Sequence, residues 1–219
     1  MVSEQRRAKA RYLEISDVLC DVDGTRSAYE AVRQAASLAA PDGRLTLLAV
    51  TDVRGSDQYE TAVLAPVVAR RALDHSRRLA RQAGVSSSRE IVSSGGHVEV
   101  LLDRAHQHTL LALGAPNMSR RAQLLVGGVA TAAAHALPSS LLIARRPPAG
   151  QGFAARVMVA SDALAHSDAL VDFAVELTRT RGGSLVLFHA ARTKSGSHEV
   201  RLASDEDLSA GRDPEPGPR

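Results

Sequence analysis

The chain has 219 residues and is 44% hydrophobic but only 3% aromatic, so it can build a sizeable core, and that core must be aliphatic, as suits helices packed on a buried parallel sheet. Net charge is +3, and residues 147–219 carry 8 basic and 10 acidic side chains, which leaves the basic surplus in residues 1–146; with few rings for base stacking, that surplus argues for solvated helix faces and against nucleic acid. No apolar run reaches the length of a membrane-spanning helix, and a lone Cys20 excludes an intrachain disulfide, so a soluble protein of the cytoplasm is expected.

Residues 1–14 read as a charged arm. Its Arg6, Arg7, Lys9 and Arg11 are not followed by the apolar stretch of a signal peptide. Asp17–Val22 reads as a first strand, closed by Asp23-Gly24-Thr25, and Ser27 is expected to cap the next helix. In that helix Ala28, Val32, Ala35 and Ala39 recur at helical spacing. Pro41-Asp42-Gly43 ends it, and Leu45–Val50 is a second buried strand. A polar loop then leads to a helix predicted from Thr61 to Ala83, with Val68, Ala72, Leu79 and Ala83 inward and its arginines outward.

Glu90–Ser93 is predicted as a short third strand, and Gly95-Gly96 opens a helix from His97 to His106. Leu110–Leu113 is the fourth strand. It runs into Gly114-Ala115-Pro116-Asn117 and, nine residues on, Gly127-Gly128 before an alanine-rich helix from Val129 to Ala136. Glycines after a strand and at a helix start let backbone N–H groups approach an anion, and the helix N-terminus adds positive potential. Pro138 precedes a fifth strand, Leu141–Ala144. Strands alternating with helices predict a parallel sheet with helices on both faces and ligands at the strand carboxyl ends. Asp23 and Gly114 both fall at such ends.

Residues 147–154, with Pro147-Pro148-Ala149-Gly150, read as a linker. Residues 155–192 repeat the opening of the chain. Asp162 falls where Asp23 fell, Val171 and Ala174 match Val32 and Ala35, and Leu185 and Leu187 match Leu45 and Leu47. Residues 193–219 turn polar and rich in Pro and Gly and are expected to be disordered.

Three segments together resemble the universal stress protein family: Val18-Leu19-Cys20-Asp21-Val22-Asp23-Gly24-Thr25, Leu113-Gly114 through Gly127-Gly128, and His135-Ala136-Leu137-Pro138 before Ser139–Ala144. The likeness covers residues 15–146 as one domain, with 155–192 as a partial second repeat. It implies an α/β fold of the adenine nucleotide alpha hydrolase type, with a five-stranded parallel sheet in the order 3-2-1-4-5. It further implies a homodimer through the fifth strand, or an intramolecular pseudo-dimer. The implied work is a stress response through an unknown protein partner, with ATP, with or without Mg, as ligand and no catalysis beyond weak hydrolysis.

The family's ATP-binding members carry G-x2-G-x9-G-(S/T). Here Gly114 and Gly127 match, while Asn117 and Gly128 stand in place of the second Gly and the Ser/Thr. The resemblance thus assigns Asp23, Gly24 and Thr25, the backbone of Val50, and Gly114, Asn117, Gly127, Gly128 and Val129 to the nucleotide. Because two motif positions are altered, a dimeric scaffold without ATP is the first alternative.

Asp21-Val22-Asp23-Gly24-Thr25 also looks like the D-x-D-G-T signature of haloacid-dehalogenase-type phosphatases. There the first carboxylate attacks phosphorus and the second exchanges a proton, with magnesium. The chain's lysines are only Lys9 and Lys194, which leaves that apparatus thin. Asp21 is unusual for the stress-protein reading, where an apolar residue or proline is common, and is expected to bond a neighbouring backbone amide.

Overall fold

The computed structural model describes residues 15–39, 42–51, 64–115, 128–137, 139–161, 167–192 and 198–203. The chain falls into two compact units, Glu14–Arg146 and one that includes Pro147–Arg219.

In the first unit the strands are β1 (Asp17–Asp21), β2 (Arg44–Thr51), β3 (Ser88–Ser94), β4 (Leu110–Gly114) and β5 (Ser140–Ala144). They form one sheet in the order β3-β2-β1-β4-β5, and every neighbouring pair is parallel. The helices are α1 (Arg26–Leu38), α2 (Pro66–Gln82), α3 (His97–Ala105) and α4 (Gly128–Ala136). β1, β2 and β4 are apolar on both faces because both faces are covered. Leu19, Leu48, Val50, Leu111 and Leu113 pack with Leu101 and Ala105 of α3 and with Ala130 and Ala133 of α4. Alternation sends Val18, Cys20, Leu47 and Ala112 to the opposite face, all essentially buried.

Several local expectations are revised. The N-cap of α1 is Thr25, whose Oγ1 accepts from the Ala28 amide at 3.2 Å; Ser27 instead sits inside the first turn, its hydroxyl 2.9 Å from that of Thr25. The helix predicted from Thr61 begins at Pro66, where proline is suited to the first turn; residues 52–63 lie outside the described residues. Its buried stripe is Ala69, Ala72, Leu73, Ser76, Leu79 and Ala80, while Val68 is 46% exposed. The inward stripe is thus one residue later than expected at its start, which turns Val68 outward. β3 is longer than predicted, gaining polar residues at both ends as the outer strand of the sheet.

The second unit contains β6 (Arg156–Ser161), α5 (Asp168–Arg181), β7 (Ser184–Arg192) and β8 (His198–Ala203) in the order β6-β7-β8. β6 and β7 are parallel and β7 and β8 antiparallel. Val159, Ala174 and Leu185 form its core, with Val157, Val171 and Leu187 against them. β8 lies within the stretch expected to lack structure; within it Glu199-Val200-Arg201-Leu202 alternates polar and apolar residues, the period of a strand. Asp162, residues 193–197 and residues 204–219 lie outside the described residues.

Candidate functional site

A parallel sheet with crossover helices brings every strand end and every following helix start to one edge. Here the carboxyl ends of β2, β1 and β4 lie side by side, and α1, α3 and α4 all begin at that edge. Each helix start carries roughly half a positive charge from its unpaired N–H groups.

β1 leads straight into the first group of expected site residues. The Val22 amide donates to the Leu48 carbonyl at 2.8 Å, holding the exit of β1 against β2. Asp23 follows, half-buried, and its Oδ1 accepts from the Thr25 amide at 2.8 Å. Gly24 between them adopts φ +79°, a backbone shape that side-chain-bearing residues disfavour. This turn aims one carboxylate edge at the backbone and leaves Thr25 exposed as the cap of α1.

Val50 lies one residue before the end of β2, and its side chain is buried in the core, so only its backbone can serve a ligand. Gly114 ends β4. A methyl group there would meet the Ala28 nitrogen and the Ser27 carbonyl carbon at 2.5 Å each. This glycine therefore lets the first turn of α1 settle onto the end of β4. Gly128 and Val129 open α4, Gly128 exposed and Val129 against the core. Asp23, Gly24, Thr25, Val50, Gly114, Gly128 and Val129 thus share one edge of the sheet. Asn117 and Gly127 lie outside the described residues.

Sequence reasoning missed His97. Asp21 shares a face of β1 with Leu19, the face on which α3 packs, and His97 is the first residue of α3. Their side chains meet, with His97 Nε2 3.0 Å from Asp21 Oδ1 and each side chain only about a tenth exposed. The expectation that Asp21 bonds a backbone amide is corrected accordingly.

Burial pushes the Asp21 carboxyl above the usual carboxylate range, opposed by the His97 hydrogen bond. Burial also works against a charged His97. The hydrogen bond and charge of Asp21, with help from Asp23, outweigh it and hold the ring above the ordinary histidine value. A buried carboxylate committed to an imidazole is poorly placed to attack phosphorus in line, which counts against the phosphatase reading. Cys20, next to Asp21, is fully buried and its thiol is pushed well up by burial, so it is a core residue and not a nucleophile. No group of three or more metal-ligating side chains occurs among the described residues, and no helix among them is long and apolar enough to cross a membrane.

Among solved structures, a universal stress protein from Archaeoglobus fulgidus DSM 4304 matches with a TM-score of 0.58 and 15% identity, over 91% of this chain and 72% of that one. At that identity the likeness concerns the fold. A universal stress protein in complex with cAMP is 22% identical over 60% of this chain and 98% of its own, with a TM-score of 0.49. The protein UspA from Lactobacillus plantarum is likewise 22% identical, over 60% of this chain and 99% of its own, with a TM-score of 0.46. No curated protein matches the chain. The model of the universal stress protein family matches residues 14–145, which span the five-stranded sheet and its helices, and the chain therefore belongs to that family.

Proposed function

We propose that the first unit binds an adenine nucleotide, ATP with or without Mg, in a cleft at the carboxyl ends of β1, β2 and β4, and that the protein acts in a stress response through a partner protein. The observation that carries this reading is the meeting of Asp23, Thr25, Val50, Gly114 and Gly128 at one sheet edge, beside three helix starts that favour an anion. Family membership supports it.

In this reading Asp23 accepts hydrogen bonds from ribose hydroxyls through carboxylate capacity not used by Thr25. The Val50 backbone meets the base, while Asn117, Gly127, Gly128 and Val129 present backbone N–H groups to phosphate. The N-terminus of α4 keeps its backbone donor at Gly128 even though a side-chain hydroxyl is missing. Two units in one chain fit an internal pseudo-dimer as well as a homodimer.

Isothermal titration with Mg-ATP tests the reading. Saturable binding is expected in the wild type and its loss in Gly127→Asp, which sets a carboxylate against phosphate. Absence of heat at millimolar ligand rejects the nucleotide and leaves the scaffold alternative favoured by Asn117 and Gly128.

A further inference from the structure

We propose that Asp21 and His97 share one proton beneath this cleft, and that the proton makes His97 Nδ1 a hydrogen-bond donor that selects anionic ligands. The inference rests on the nucleotide-cleft reading and adds to it a residue pair and a charge preference.

The pair is buried, joined at 3.0 Å, and seated where β1 leaves the sheet two residues before Asp23. Its second ring nitrogen, Nδ1, is buried and has no hydrogen-bond partner. Buried polar atoms are nearly always paired, so this nitrogen calls for a partner, a water or a ligand atom.

Proton counting says which partner. With one proton in the pair beyond the single ring hydrogen of a neutral histidine, two arrangements exist. Either Asp21 is a carboxylate facing an imidazolium, or a neutral Asp21 donates to Nε2 of a neutral ring. In both, Nδ1 carries hydrogen and the pair is neutral overall. When that proton leaves, Nε2–H donates to the Asp21 carboxylate, Nδ1 becomes a bare acceptor, and the pair carries one negative charge. A phosphate oxygen suits the first state and is repelled by the second.

The surroundings sharpen this. From β1, Asp23 faces the pair and Cys20 offers only an uncharged thiol. On α3 itself, Glu99 lies two residues on, about half a turn around the helix, and its carboxylate turns back toward Gly96. β3 ends in Ser93 and Ser94, and the only titratable residue of α4, His135, lies in that helix's last turn. The Asp23 carboxylate, whose charge acts on the pair, already opposes an anion, so losing the shared proton adds to an existing penalty. Burial works against that proton, but the hydrogen bond and charge of Asp21 and the charge of Asp23 hold it above the ordinary histidine value, so it is lost at higher pH than from a free imidazole.

The test is calorimetric titration from pH 6 to 9 with cAMP, whose single phosphodiester charge does not titrate there, and with uncharged adenosine. Buffers of different ionisation heat report the protons taken up. Expected are a fall in cAMP affinity of roughly threefold to tenfold as pH rises, proton uptake that peaks at roughly 0.3 to 0.5 where the slope is steepest, and a flat adenosine profile. His97→Gln and Asp21→Asn, each confirmed folded by circular dichroism, should flatten the cAMP profile. Binding of cAMP with a flat profile in the wild type, or with the slope retained in His97→Gln, overturns the inference and leaves the nucleotide reading standing. Failure of cAMP to bind at any pH where Mg-ATP binds overturns the inference alone, and failure of cAMP, adenosine and Mg-ATP alike overturns both.

Discussion

The main-chain nitrogen of Ala28 lies 2.5 Å from the point where a methyl group on Gly114 would sit. Two backbones, the end of β4 and the first turn of α1, touch through a missing side chain. Neither can yield as a flexible side chain would. Gly114→Ala is therefore expected to lower stability by about 1–3 kcal/mol, the usual cost of overpacking. Urea denaturation measures this, with the midpoint shifted and the slope unchanged. A loss of only a few tenths of a kcal/mol would show that the contact relaxes freely.

Thr25 serves the same helix differently. Its hydroxyl caps α1 and its amide is held by Asp23. Thr25→Ala should cost about 1 kcal/mol, and Thr25→Ser should recover most of it. Equal losses in the two variants would point to the lost methyl group and away from the cap.

Acid–base behaviour of the fold follows from His97. Its folded value is raised above the ordinary 6.5, so its contribution to stability is complete below that pH and disappears as pH rises through the raised value. Asp21 is raised as well, which gives the same sign from about its ordinary 3.8 upward. Unfolding free energy should therefore decline as pH rises from about 6.5 through the raised His97 value. His97→Gln should abolish that decline. In Asp21→Asn the His97 ring, followed by NMR, should titrate at lower pH than in the wild type, because burial is then opposed only by Asp23. An unchanged His97 titration would refute the pairing.

Cys20 is wholly buried in the central strand with its thiol pushed up. Thiol reagents should label it only through opening of the fold, slower than a free thiol by about a thousandfold or more. Labelling at the rate of an exposed cysteine would mean that β1 is not central.

The apolar runs at β1, β2 and β4 were readable because strands covered on both faces must be continuously aliphatic. So was the shared edge of Asp23 and Gly114, since every strand of a parallel sheet ends there. The Thr25 cap lay two residues from the residue expected to serve, because Thr25 and Ser27 are both capable caps and only the turn at Gly24 decides between them. The Asp21–His97 bond was not readable. It joins residues 76 apart through the strand's alternation and the crossover of α3, and local periodicity sees neither. A titratable side chain directly after Gly95-Gly96, at the carboxyl edge of the sheet, was the available signal. β8 was obscured by the polar composition around it.

The hydrogen bond from the Asp17 amide to Thr109 Oγ1, beside the β1–β4 seam, closes a loop of 92 residues, whereas β7 ends at Arg192 and its antiparallel partner β8 begins at His198. Five residues allow a hairpin but not the dozen or more that a parallel crossover requires, so connector length by itself dictates the reversed direction of β8. The two units consequently differ in the chain entropy their assembly must overcome. The β7–β8 hairpin can form from near neighbours within microseconds, while the pairing of β1 with β4 waits on the longest closure in the five-stranded sheet.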